Sequence, residues 1–155
     1  MNLKKALVPV AIVAALGVVA CGDDEDSDSA SSDAAKPSVT FVSPTDGEMT
    51  SDSVTAEVEL KNFQIDAVNV GKAAETGKGH LHFSLDGGKF DKPKYSGPNG
   101  ELAVKLGVDG QYSPSTEPKI TYSGLPKGEH TLKIDLANND HSPTGTSATT
   151  TFTVD

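Results

Sequence analysis

From Pro37 to the C-terminus, apolar side chains recur at every second position in short runs, separated by clusters of Gly, Pro, Asp and Asn. An extended strand sends successive side chains to opposite faces, so such a run buries one face and wets the other. A helix would need a spacing near 3.6 instead. The alternation runs through residues 39–42, then Val54, Ala56, Val58 and Leu60, then Leu81, Phe83 and Leu85. It continues at Leu102, Val104, Leu106 and Val108, at Ile120 and Tyr122, at Leu132, Ile134 and Leu136, and at Ala148, Thr150, Phe152 and Val154. Ser43-Pro44-Thr45-Asp46-Gly47, Asp86-Gly87-Gly88 and Asp109-Gly110 supply turn chemistry between runs. No stretch of the mature chain carries a convincing helical period. Seven short strands of this kind predict an all-β domain, an antiparallel two-sheet sandwich, with a barrel as the other arrangement.

The chain ahead of that domain reads differently. Lys4 and Lys5 precede an apolar run at residues 6–20, which is shorter than the roughly 20 residues a membrane-spanning helix needs. A positive start and a short apolar run are the parts of a secretory signal. The run ends at Val18-Val19-Ala20-Cys21, and Cys21 is the only cysteine of the 155 residues. This junction resembles the lipobox of bacterial lipoprotein precursors, with valine where leucine is commonest. The resemblance implies that residues 1–20 are a signal peptide, that Cys21 is acylated, and that the protein is extracytoplasmic and lipid-anchored. Two or more acyl chains are about what stable attachment requires. Residues 22–35 hold six acids and almost nothing to bury, so residues 21–36 are expected to form a lipidated, disordered, self-repelling tether.

Composition removes several function classes. The net charge is −9, and all 13 basic residues are lysines. An acidic chain lacks the basic stripe that nucleic-acid binding needs. One cysteine excludes an intrachain disulfide, a Cys-based zinc site and an iron–sulfur cluster. It also excludes a blue-copper centre, since that thiol sits at the anchor. No nucleophile elbow, phosphate-binding glycine loop or paired-carboxylate motif is present, so no enzymatic activity is expected.

The four histidines are what remains for chemistry near neutral pH. His80 and His82 share one face of a strand with Ser84, while Leu81, Phe83 and Leu85 take the core face. Two imidazoles spaced i, i+2 on an outward strand face can converge on one transition-metal ion, copper or zinc being favoured. In an immunoglobulin-like sandwich the strand around residues 131–137 pairs antiparallel with the His80 strand. That pairing brings Asn138-Asn139-Asp140-His141 next to His80 and His82. His141 is then the expected third ligand, with Asp140 as an oxygen ligand or an orienting partner. His130 has the parity of Leu132 and Ile134, points inward at the other end of the strand, and is expected to be structural. Residues 63–79 form a long connection beside His80, a candidate binding loop. Tyr95, Tyr112 and Tyr122 lie near turns and offer a minor alternative, a carbohydrate platform.

Gly79-His80-Leu81-His82, the segment Leu125-Pro126-Lys127-Gly128-Glu129-His130-Thr131-Leu132, and the following His141 together resemble an uncharacterised family of exported bacterial immunoglobulin-like domains. The resemblance covers most of the domain and implies an immunoglobulin-like β-sandwich at residues 37–155. The expectation is a monomeric envelope binding module, anchored to a membrane by lipid and meeting a protein or small-molecule partner. A structural or adhesive spacer without a metal site is the competing reading. If the three imidazoles lay more than about 8 Å apart, one ion could not join them.

Overall fold

The computed structural model describes residues 35–91, 98–108 and 110–155. Cys21, the signal segment and most of the tether lie outside the described residues. Among the described residues nine strands and one helix follow in order: β1 (Ser38–Ser43), β2 (Glu48–Thr50), β3 (Ser53–Lys61), β4 (Gln64–Ile65), β5 (Lys78–Leu85), α1 (Pro98–Leu106), β6 (Ser113–Ser115), β7 (Lys119–Ser123), β8 (Gly128–Asn138) and β9 (Pro143–Val154).

One sheet is β1-β3-β7, antiparallel throughout. The other runs β2-β9-β8-β5, with β4 and β6 sharing the outer edge of β5. Short β2 lies parallel to the end of β9, from Glu48 opposite Phe152 to Thr50 opposite Val154. Of the six long strands, the first, second and fourth (β1, β3, β7) form one sheet and the third, fifth and sixth (β5, β8, β9) the other, which is the strand order of an immunoglobulin-like sandwich with α1 in place of its fourth strand. The inward residues of both sheets meet in one core. Val54, Ala56 and Val58 of β3 and Ile120 and Tyr122 of β7 face Leu81, Phe83 and Leu85 of β5. Leu132, Ile134 and Leu136 of β8 and Phe152 of β9 complete it. Along β3 buried and exposed residues alternate strictly from Ser53 to Glu59, which is the period-two pattern realised.

The two sheets are joined by more than apolar contact. Asp91 is buried at 2% exposure. Its carboxylate accepts the Leu85 amide at the end of β5 (2.7 Å), the Ser113 hydroxyl of β6 (2.6 Å) and the Tyr122 hydroxyl of β7 (2.9 Å). One side chain thus ties the β5 edge to the opposite sheet.

The segment with Leu102, Val104, Leu106 and Val108 is helix α1, not the expected fourth strand. Its apolar residues satisfy both periods, and the ends decide between them. Pro98 occupies the first turn, where its missing N–H costs nothing, with Glu101 nearby and Lys105 in the last turn. Gly107 has φ +66° and donates to Val104 O (3.2 Å), and Val108 N donates to Ala103 O (3.3 Å). That pair of bonds is a Schellman stop. Ala103 is buried, Leu102 and Leu106 are half-buried, and Val104 is exposed at 66%, a helical stripe rather than an alternating one. The other six expected strands are present. Among the described residues β2, β4 and β6 are additional, each of only two or three residues and too short to show a period.

Candidate metal centre

The site is assembled by the first half of β5 and the turn between β8 and β9. β5 and β8 pair antiparallel with Gly79 opposite Asn138, His80 opposite Ala137 and His82 opposite Asp135. The approach at the first pair is close. A Cβ on Gly79 would lie 1.9 Å from the carbonyl oxygen of Ala137, so only glycine lets the strands meet there. Beyond β8 the chain reverses through Asn138-Asn139-Asp140-His141. The His141 amide donates to Asn138 O (3.0 Å), and the Asn138 amide donates to Ser142 O (2.9 Å). This is a type I turn followed by a residue in the left-handed region, a common hairpin connection. Glycine usually fills that last position, but here it is His141, at φ +66°.

The turn is braced from both sides. Asp140 Oδ1 accepts the Ser142 amide (2.9 Å) and the Ser142 hydroxyl (2.5 Å). Buried Asn139 accepts the Gly71 amide on its carbonyl (2.7 Å) and donates from Nδ2 to Asp66 Oδ2 (3.2 Å). The Asp66 amide in turn donates to Gly79 O (2.8 Å), and its carboxylate also accepts from Asn69. The connection at residues 63–79 therefore clamps the start of β5 to the turn.

The result is a compact triad of rings. His80 Nε2 lies 2.8 Å from His82 Nε2 and 2.9 Å from His141 Nδ1. One ligand atom from each of the three residues lies within 4.8 Å of the others, well inside the distance at which one ion could no longer join them. Asp140 is not part of this group, and its carboxylate is engaged by Ser142. The expected outward, solvated face of β5 is in fact covered: His80 is 0% and His82 8% exposed. Tyr112 stacks on His82 at 3.8 Å between centroids and 18° between planes, and His141 packs edge-on against His80 at 4.4 Å.

Three neutral rings in this arrangement conflict. His80 Nε2 carries either one proton or one lone pair, so only one of its two short contacts can be a full hydrogen bond. The other is at best the weak arm of a shared three-centre bond, and in the wrong tautomer it sets lone pair against lone pair or proton against proton. A cation that accepts a lone pair from each ring removes the conflict. Metal–nitrogen bonds of about 2.0–2.1 Å at tetrahedral angles put donors roughly 3.3 Å apart, so the two short pairs would open by about half an ångström while the widest pair, now up to 4.8 Å, would close by about 1.5 Å. Among the described residues the buried side-chain polar atoms without a hydrogen-bond partner are His80 Nδ1, His141 Nε2 and Asn139 Oδ1, all at this corner. A cleft of about 290 Å³ opens beside it, with His82, His141, Tyr112 and Pro143 on its walls.

Burial keeps the rings neutral. It pushes the His82 pKa down to about 3, with His80 and His141 adding to the effect, and His80 down to about 4, with His141 adding. His141 is lowered by burial too, against the opposing pull of Asp140. Stability of the metal-free domain should depend on pH accordingly. In the unfolded chain these imidazoles protonate near 6.5, so below that value the unfolded state binds more protons than the folded one. The contribution is full above about pH 6.5 and is lost as the pH falls toward the folded values, at about 1.4 kcal/mol per pH unit per histidine. Urea midpoints measured from pH 7 to 4.5 should fall steadily, and the His82→Asn variant should show a shallower slope.

The remaining sequence candidates are placed elsewhere. His130 is buried at the far end of β8, with Asp86 Oδ2 on Nδ1 and Pro126 O on Nε2, both at 2.8 Å, and it packs between Phe90 and Phe152. Both its nitrogens are engaged, as suits a corner residue. Tyr122 is in the core and Tyr95 is outside the described residues, so no tyrosine platform is assembled among those described. Tyr112 was missed as a neighbour of His82. It precedes β6, whose pairing of Pro114 with His82 brings it there, and a three-residue strand leaves no periodic signal.

Strand order and site together define an immunoglobulin-like β-sandwich module with a buried three-histidine cluster at one end. No family model matches the chain, and no curated protein matches it. Among solved structures it is similar to one described as fibronectin(III)-like modules of Clostridium thermocellum CbhA. The TM-score is 0.42 and the identity 14%, over 77% of this chain and 47% of that one. The chain thus spans about half the length of that structure.

Proposed function

We propose that this is a non-enzymatic, lipid-anchored module of the bacterial cell envelope that binds one transition-metal ion, copper or zinc, through His80, His82 and His141. The observation that carries the metal reading is the gathering of three neutral ring nitrogens within 4.8 Å of one another, where protons alone leave one short contact with at best a weak shared bond. Asp140 serves the site through the turn it shapes. His130 belongs to the fold. The lipid anchor rests on the lipobox-like residues ending at Cys21, and the tether would hold the domain clear of the membrane.

Two measurements test the parts separately. Titration of the purified protein with copper and zinc should show one ion per chain, and the His80→Ala, His82→Ala double variant should lose it. Equal, weak uptake by both forms would leave an interaction or spacer module. In cells, labelled palmitate should enter the chain and the protein should fractionate with membranes. Both properties should vanish in Cys21→Ser.

A further inference from the structure

We propose that the ion this corner is built to hold is monovalent copper, in preference to zinc or divalent copper. The inference rests on the three-histidine reading and adds a charge state to it. The donors are three imidazoles, and among the described residues no carboxylate or thiolate joins them. Asp140 Oδ1 is held by Ser142, and Asp135, which borders the cleft, is paired with Lys133 at 2.8 Å. The two strand histidines are buried. An incoming ion therefore keeps its whole charge among ligands that carry none, with Asp140 acting on His141 only through space. The cost of carrying an ion out of water rises with the square of its charge, so a dication is penalised about four times as heavily as a monocation.

Coordination number points the same way. Zinc completes a tetrahedron with a fourth donor, and divalent copper seeks four donors near one plane. A monovalent d¹⁰ copper ion is satisfied by two or three nitrogens. Of the three rings, His82 and His141 lie nearly parallel, 14° between planes and 5.8 Å between centroids. His80 stands edge-on to both, at 63° and 75°. Nitrogen donors alone favour divalent copper over zinc in water. Here the uncompensated charge opposes both dications.

The test uses the full chain carrying Cys21→Ser, which removes the one thiol that would compete for copper. Copper(I) is titrated anaerobically against bicinchoninate, zinc against a chromophoric chelator, and copper(II) in air against glycine. The expected result is one copper(I) per chain, bound at least a hundredfold more tightly than zinc and more tightly than copper(II), and lost in His141→Gly. Zinc or copper(II) binding as tightly as copper(I), and also lost in His141→Gly, overturns the charge-state inference and leaves the three-histidine site standing. No stoichiometric binding of any of the three ions, or unchanged affinity in the variant, overturns both. His82→Gln serves as a second ligand variant, and circular dichroism of each metal-free form checks that it is folded.

Discussion

Replacing His141 with glycine should lower metal affinity at least a hundredfold while leaving the metal-free domain within about 1 kcal/mol of its original stability. A hundredfold loss corresponds to about 2.7 kcal/mol of binding free energy, a modest expectation for removing one of three ligands. The stability half of the prediction follows from the backbone. His141 is in the left-handed region at φ +66°, where a side chain costs roughly 1–2 kcal/mol that glycine does not incur. Against that gain stand the lost ring contacts with His80 and the larger entropy glycine surrenders on folding, roughly 0.5–1 kcal/mol. The two nearly cancel. A histidine that served only packing would behave otherwise, because its removal would lower stability and leave metal uptake untouched. Urea denaturation of the metal-free protein and metal titration, made on the same preparation, separate the two.

Asp91→Ala should cost about 3–5 kcal/mol, enough to leave little of the stability typical of a small domain. Alanine would remove the acceptor shared by the Leu85 amide, the Ser113 hydroxyl and the Tyr122 hydroxyl, all three in the interior. Each buried donor left without a partner costs roughly 1–3 kcal/mol. Asp91→Asn preserves the shape and one acceptor oxygen but turns an amide toward a donor, and it should lose about half as much. Guanidinium unfolding of the two variants should rank them in that order. Equal, small losses would show that the link between the sheets contributes little. Neither substitution touches the three histidines, so metal affinity in the folded fraction should stay as it was.

The sandwich was legible because burying one face of a strand imposes a two-residue period, and six strands long enough to display that period are where the alternation put them. The proximity of His141 to His80 followed from the same pattern, since the pairing of β5 with β8 sets which residues lie side by side. Helix α1 was misread because Leu102, Leu106 and their neighbours fit a strand and a helix equally. The cues that separate them, Pro98 and Gly107, act at the ends of the segment and not along it.

The sequence by itself determined the strand faces, the turns between them and the three histidines that converge. Those properties are local, set by the direction of each side chain from its own backbone. Only the tertiary structure decided that the histidine face is buried and not wet, because Tyr112 and His141 cover it from distant segments. It also decided that residues 63–79 brace the site, through Asp66 on Gly79 and Asn139. Burial, and with it the neutrality of the rings and the stake in an ion's charge, depends on what packs over a residue. No period in the chain records that.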